Sequence, residues 1–203
     1  MWSDNGYAEW LLVSQRGVLY RAQALSLGVT TQALRWRIRP GGPWQRLLPG
    51  VYLTVTGEPT QAQREVAALL YASQPGIITG PAALQRHRIR GPAAVAVDVL
   101  VPARRERASR DFVVTHQTRR MPRSWTVDMA LRYAQPARAV VDTVSALTGL
   151  AEARTVVASA VQQRRCSIDQ IVTELRERRS TGKRTAAGGP GRGSGRNQLR
   201  RRG

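Results

Sequence analysis

Between Gly17 and Tyr52 the chain strings together two short helical segments, a glycine turn and two short apolar strands split by Pro49-Gly50. Few folds accept that order of parts. Upstream, Tyr7, Trp10, Leu11 and Ser14 fall at helical spacing, and Gly17 can end the helix they predict. Val18-Leu19 read as a short extended link, and Arg21 to Leu27 as a second helix with Gly28 as the turn. Thr30 or Thr31 can cap a third helix running to about Ile38, which Pro40-Gly-Gly-Pro43 breaks. Trp44 to Leu48 and Val51 to Val55 then predict two strands joined by a type II turn at Pro49-Gly50. Helix, turn, helix and hairpin in succession predict a winged helix-turn-helix over residues 1–57, a shape that places one helix in a DNA groove with the hairpin beside it.

Within that unit the residues divide by role. Ala24, four positions before Gly28, is small enough to let two helices approach, and Leu27, Val29, Leu34 and Ile38 fill the space beneath. This leaves Thr31, Gln32, Arg35 and Arg39 facing outward on the third helix. Glutamine can bond adenine bidentately, arginine can bond guanine O6 and N7, and threonine can reach a phosphate or a thymine methyl. Thr31, Gln32 and Arg35 are therefore the expected base readers. Arg37, Arg39 and Arg46 of the hairpin are the expected phosphate contacts, which position without reading sequence. Trp36 is expected half-buried against the hairpin rather than on a base. The competing reading is an ordinary solvated basic helix face.

Charge favours a polyanionic partner. Thirty-two basic residues face 13 acidic ones, for a formal net charge of +19 and a pI near 11.7. Lys183 is the only lysine. Codon bias in a GC-rich genome accounts for arginine over lysine, but not for the imbalance between cations and anions. Cys166 is the single cysteine, so no internal disulfide can form and a reducing compartment is expected. The first residues lack the basic and apolar regions of a signal peptide, and no uncharged apolar run approaches a membrane span. A soluble cytoplasmic protein with no membrane partner is the expectation.

Beyond the linker at Gly57-Glu-Pro59, residues 60–178 predict a small mixed α/β domain ending in helices. Thr60 and Gln63 form a capping box for a helix with Ala62, Val66, Leu69 and Leu70 on one stripe. Ile77-Ile78 read as extended, Pro81 to Arg86 as a helix, Val95 to Val101 and Phe112 to His116 as strands, and Met129 to Tyr133 as an ambiguous third strand. Arg104, Arg105, Arg107 and Arg110 fall in a loop. From Pro136 the periodicity is helical: Val140, Val144 and Leu147 share one face, and Leu150, Ala153, Val157 and Ala160 another. A second capping box, Ser167 to Gln170, opens the helix carrying Ile168, Ile171, Val172 and Leu175. Residues 180–203 hold seven glycines, seven basic residues and no acid, a composition that predicts a disordered basic tail able to add salt-sensitive affinity for nucleic acid. The fold class expected is α+β.

No catalytic, metal or cofactor site is predicted. His87 and His116 are the only histidines and have no metal-ligand spacing with Cys166. Gly188-Gly-Pro-Gly-Arg-Gly is low-complexity sequence without the strand and helix a phosphate loop requires. Asp98, Asp111, Asp128 and Asp142 could converge on a metal, but caps, turns and ion pairs to the many arginines account for them better.

Several segments resemble AbiEi-type antitoxins of type IV toxin–antitoxin systems. Arg21-Ala-Gln-Ala-Leu25, Gly28, Trp44-Gln-Arg-Leu47 and Pro49-Gly-Val-Tyr52 carry the resemblance in the first unit. Gly80-Pro-Ala-Ala-Leu84 with His87, Val99-Leu-Val-Pro102, Val114-Thr-His116 and Pro136-Ala-Arg-Ala-Val-Val-Asp142 extend it, so that it spans residues 8–178. The resemblance implies a winged-helix DNA-binding domain fused to a mixed α/β domain, double-stranded DNA as partner, and an antitoxin that represses its own operon at inverted repeats. It also implies a nucleotidyltransferase-type toxin as the functional counterpart. Many relatives carry a further Vsr-like endonuclease domain, which is not expected here because the Gly/Arg-rich segment stands where it would start. Two other readings stay open: the DNA-targeting part of a nuclease-fused protein, and a module that binds RNA or a toxin.

Overall fold

In a computed structural model, which describes residues 4–105 and 107–186, the chain is an α+β protein with eight helices and two sheets among those residues. The first sheet is built early. Helix α1 (Asp4–Ser14) leads to strand β1 (Val18–Tyr20), helices α2 (Arg21–Ser26) and α3 (Thr31–Arg37), and strands β2 (Gln45–Leu48) and β3 (Val51–Leu53). β3 lies between β1 and β2, antiparallel to both. Val18-Leu19, expected as a link, is thus part of a strand, because Val18 and Leu19 pair with Leu53 and Tyr52. Gly50 sits at φ +76°, the left-handed geometry that a type II turn demands after proline. Gly28 (φ +85°) closes α2, where Val29 N–H reaches back to the Ala24 carbonyl at 3.1 Å.

The second part opens on helix α4 (Gln61–Ala72), followed by β4 (Ile77–Thr79), α5 (Gly80–Arg86), β5 (Val97–Pro102), β6 (Val113–Thr118), β7 (Trp125–Asp128), β8 (Leu131–Ala134), α6 (Pro136–Ala146), α7 (Leu150–Gln162) and α8 (Ile168–Ala186). Its five strands run in the order β6-β5-β4-β8-β7. β4 is antiparallel to β5 and parallel to β8, and β5 and β6 are parallel. Both expected capping boxes form. Thr60 Oγ1 accepts from Gln63 N–H at 3.3 Å and Gln63 Oε1 from Thr60 N–H at 2.9 Å, and Ser167 and Gln170 repeat the exchange.

Helix α4 joins the two parts. It packs on β1, β2 and β3 and also on β4, β5 and β8, so four consecutive residues, Glu65 to Ala68, are buried. Val18, Leu48, Val51 and Leu53 share one core cluster with Val66, Ala67, Val99 and Tyr133. The strand period of two sends Leu19 to the other face, where it meets Leu11, Ala24 and the partly buried Leu27, Val29 and Trp44. The boundary drawn at residues 57–60 therefore separates segments that share a core.

Glu65 is a charged group inside this junction. Its Oε2 accepts from Tyr133 Oη at 2.6 Å and its Oε1 from Gln61 Nε2 at 3.1 Å. Burial pushes the Glu65 carboxyl up from its ordinary range, against the pull of those hydrogen bonds, and burial together with the Glu65 contact pushes the Tyr133 hydroxyl up as well.

Several expectations are corrected. In α1 the buried residues are Leu11 and Ser14, followed by buried Gln15 in the turn, while Tyr7 and Trp10 stack on each other at 6.1 Å and stay about half-exposed. Trp10 lies about 100° around the helix from Leu11, off the buried stripe. Leu150 and Ile168, assigned to apolar faces, are 67% and 60% exposed, because Val156 and Ala160 of α7 and Ile171 of α8 supply the buried contacts. The ambiguous segment resolves into β8 at Leu131–Ala134, paired with a strand not anticipated, β7, about a turn where Met129 takes φ +53°. α8 runs through Ala186, past the position where the tail was expected to begin, and residues 187–203 lie outside the described residues. No helix among the described residues is long and apolar enough to cross a membrane.

Candidate nucleic-acid interface

The exposed face of α3 follows from where Leu34 goes. Leu34 is 2% exposed and anchors the helix inward. At about 100° per residue, Arg35, Gln32 and Trp36 fall roughly 100–200° away from it, on the outer side, whereas Arg39, expected on the helix, lies beyond its end at Arg37. Thr31, Gln32, Arg35, Trp36 and Arg39 are indeed exposed. Thr30 rather than Thr31 caps the helix, its Oγ1 accepting from Ala33 N–H at 3.1 Å, which leaves the Thr31 hydroxyl at the surface. Arg46 is exposed on β2, with the helix and the hairpin joined by Trp44 N–H donating to the Arg37 carbonyl at 3.0 Å.

Trp36 is 53% exposed, opposite Leu34 on the helix, and the Arg39 guanidinium lies 4.5 Å from its ring centroid. The tryptophan that packs inward is Trp44, in the cluster around Leu11 and Leu19. Arg37 points back toward it, half-buried, with its guanidinium 5.4 Å from the Trp44 ring. A cation over an indole is held by the ring's negative face, so Arg37 braces the junction of α3 with the hairpin as well as carrying charge. The outer surface is thus Thr31, Gln32, Arg35 and Trp36 on α3, with Arg39, just past the helix end, over the Trp36 ring. That set can hydrogen-bond base edges, stack, and pair with phosphates.

The remaining titratable residues divide into structural pairs and one polar cleft. His87 Nε2 lies 2.8 Å from the Ala134 carbonyl, and burial pulls its pKa down, as for a structural histidine. Asp111 pairs with Arg110 and Asp128 with Arg86. Asp98 and Asp142 do share a cleft, with His116, but each is engaged by a cation there. Hydrogen bonding to Asp98 lifts the His116 pKa. Among the described residues no three His, Cys, Asp or Glu side chains converge as a metal site requires. Cys166 is buried, which pushes its thiol pKa up and away from reactivity. In the arginine loop, Arg107 is held by Ser73 and the Tyr71 ring, while Arg104 and Arg105 are exposed. No protein-family model matches the chain, and no curated protein shows a significant match to it.

Proposed function

We propose that this chain is a sequence-specific DNA-binding protein of the winged helix-turn-helix type, acting in the cytoplasm as an AbiEi-like regulator that represses its own operon as an antitoxin. The observation that carries this reading is the outward stripe of α3: Gln32 and Arg35 stand exposed opposite buried Leu34, with Arg39 exposed just past the helix and a hairpin that bears Arg46 beside it. α2, the turn at Gly28 and α3 supply the helix-turn-helix, and β2 and β3 the wing. Gln32 and Arg35 read base edges, Thr31 adds a contact near the helix start, and Arg37, Arg39 and Arg46 lie on phosphates. The net charge of +19 supplies the sequence-independent attraction that brings the protein to duplex DNA. A nucleotidyltransferase-type toxin is the functional counterpart that the family resemblance suggests.

The test is mobility-shift titration on the chain's own upstream DNA and on a scrambled duplex. Arg35→Ala should weaken cognate binding by about 1–3 kcal/mol and relax preference at one base position. Equal losses on both duplexes would reject base reading by Arg35.

A further inference from the structure

A cleft of about 820 Å³ opens in the second part of the molecule, away from α3, between the ends of β4, β5 and β6 and the helices α6 and α8. At its base Asp142 acts as a strut. Its Oδ2 accepts from Arg138 Nε at 2.8 Å and from Thr79 Oγ1 at 2.7 Å, and its Oδ1 accepts from Arg178 Nη1 at 2.9 Å. Three elements, β4, α6 and α8, are thereby held to one carboxylate, and two guanidinium groups are oriented by it.

Those guanidinium groups keep donors in reserve. Arg138 is 7% exposed, and its Nη1 reaches only the Arg120 carbonyl at 3.4 Å and Glu174 at 4.0 Å; its Nη2 makes no hydrogen bond among the described residues. The Arg178 side chain is 49% exposed and spends Nη1 alone on Asp142. Arg120, held by Glu174 and Glu177, lines the same wall, and its Nε is buried without a partner. Arg119 is the fourth arginine of the lining, and His116, fixed by Asp98 at 2.6 Å, faces the same space. The lining thus sets four guanidinium groups and an imidazole against two carboxylates, Asp98 and Asp142. Beside this basic side the partly exposed Pro92 and Leu147 add apolar surface to the lining, over the buried Leu100.

We infer that this cleft binds a phosphate ester of nucleotide size, its phosphate on Arg138 and Arg178 and its ring on that apolar surface. Guanidinium groups pre-oriented by a buried carboxylate match phosphate oxygens bidentately and lose little freedom on doing so. The volume lies in the range of small-ligand sites, and an apolar surface flanked by a few convergent polar groups is how such sites hold a ring and an anionic tail together. The cleft stands apart from the proposed DNA face, so either assignment can fail without the other.

The full chain is titrated separately with each of the four 5′-ribonucleoside monophosphates, with the matching nucleosides and with a 5′-phosphorylated trinucleotide, following the His116 imidazole resonances by NMR. At least one phosphorylated probe should shift His116 saturably, with its nucleoside binding about tenfold or more weakly. Saturation by the trinucleotide alone assigns the cleft to strand ends rather than free nucleotides. Arg178→Gln, which gives up the Asp142 contact along with the charge, should weaken the same probe about tenfold while far-ultraviolet circular dichroism shows the helices retained. Failure of every phosphorylated probe to shift His116, equal binding of nucleoside and nucleotide, or undiminished binding by the Arg178→Gln protein would each overturn the assignment.

Discussion

Replacing Leu48 by alanine tests whether the helix–hairpin unit and the rest of the molecule fold as one body. Leu48 is 1% exposed, and its cluster includes α4 residues and strands of the five-stranded sheet. The change removes three carbons' worth of buried surface and leaves a cavity. β2 ends its sheet, so the backbone can close part of that cavity, which points to the lower half of the usual range, about 2–4 kcal/mol. For a protein of this size that corresponds to a fall in melting temperature of roughly 5–15 °C. Arg46→Ala, two positions away on the same strand but exposed, is the control and should change stability by less than about 0.5 kcal/mol. Unfolding is followed by the tryptophan fluorescence of a Trp125→Phe background, whose remaining tryptophans all lie in the first part of the sequence, and by far-ultraviolet circular dichroism, dominated by the helices of the second. The two probes should give coincident transitions, both displaced equally in Leu48→Ala. A dichroism transition that stays at the wild-type midpoint while the fluorescence transition moves would refute the shared core and reinstate two independent domains.

Three other outcomes follow. Arg46→Ala should weaken binding to cognate and scrambled duplexes alike and reduce the slope of log affinity against log salt by about 1; a loss confined to the cognate duplex would make Arg46 a base reader instead. Because burial raises the Glu65 pKa in the folded state, this group favours folding below its ordinary carboxylate range, and that contribution is lost as pH rises through the raised value. Glu65→Gln, which keeps an acceptor for Tyr133, should gain stability relative to wild type as pH climbs from acid to neutral in thermal melts, whereas a growing deficit would show that the ionised carboxylate is a net stabiliser. His116 carries the same sign by a different cause, its charged form being held by Asp98, so its contribution is present below the ordinary histidine pKa and fades as pH rises through the raised one. Asp98→Asn should bring the His116 titration, read by NMR, back down; an unmoved titration would deny the pairing.

Turns and caps were readable because their signals are local. Gly28, Pro49-Gly50 and the Thr60–Gln63 and Ser167–Gln170 boxes each act within a few residues, and each forms as its chemistry requires. Strand β7 was missed because Trp125 to Asp128 is four residues long and turns through Met129, which carries none of the usual turn chemistry. The polar cleft had no sequence signature at all. Thr79, Arg120, Arg138, Asp142 and Arg178 are separated by up to a hundred positions and meet only through the packing of β4, α6 and α8.

The central claim is that the outer stripe of α3 reads duplex sequence. Nuclease footprinting on the DNA upstream of the chain's own gene, with wild-type protein and with the Gln32→Ala, Arg35→Ala double variant, addresses it most directly. The wild-type protein should protect a discrete site that the double variant, still folded and still bound weakly to any duplex, leaves open. Uniform coverage without a boundary, or the same protected site from both proteins, would contradict it.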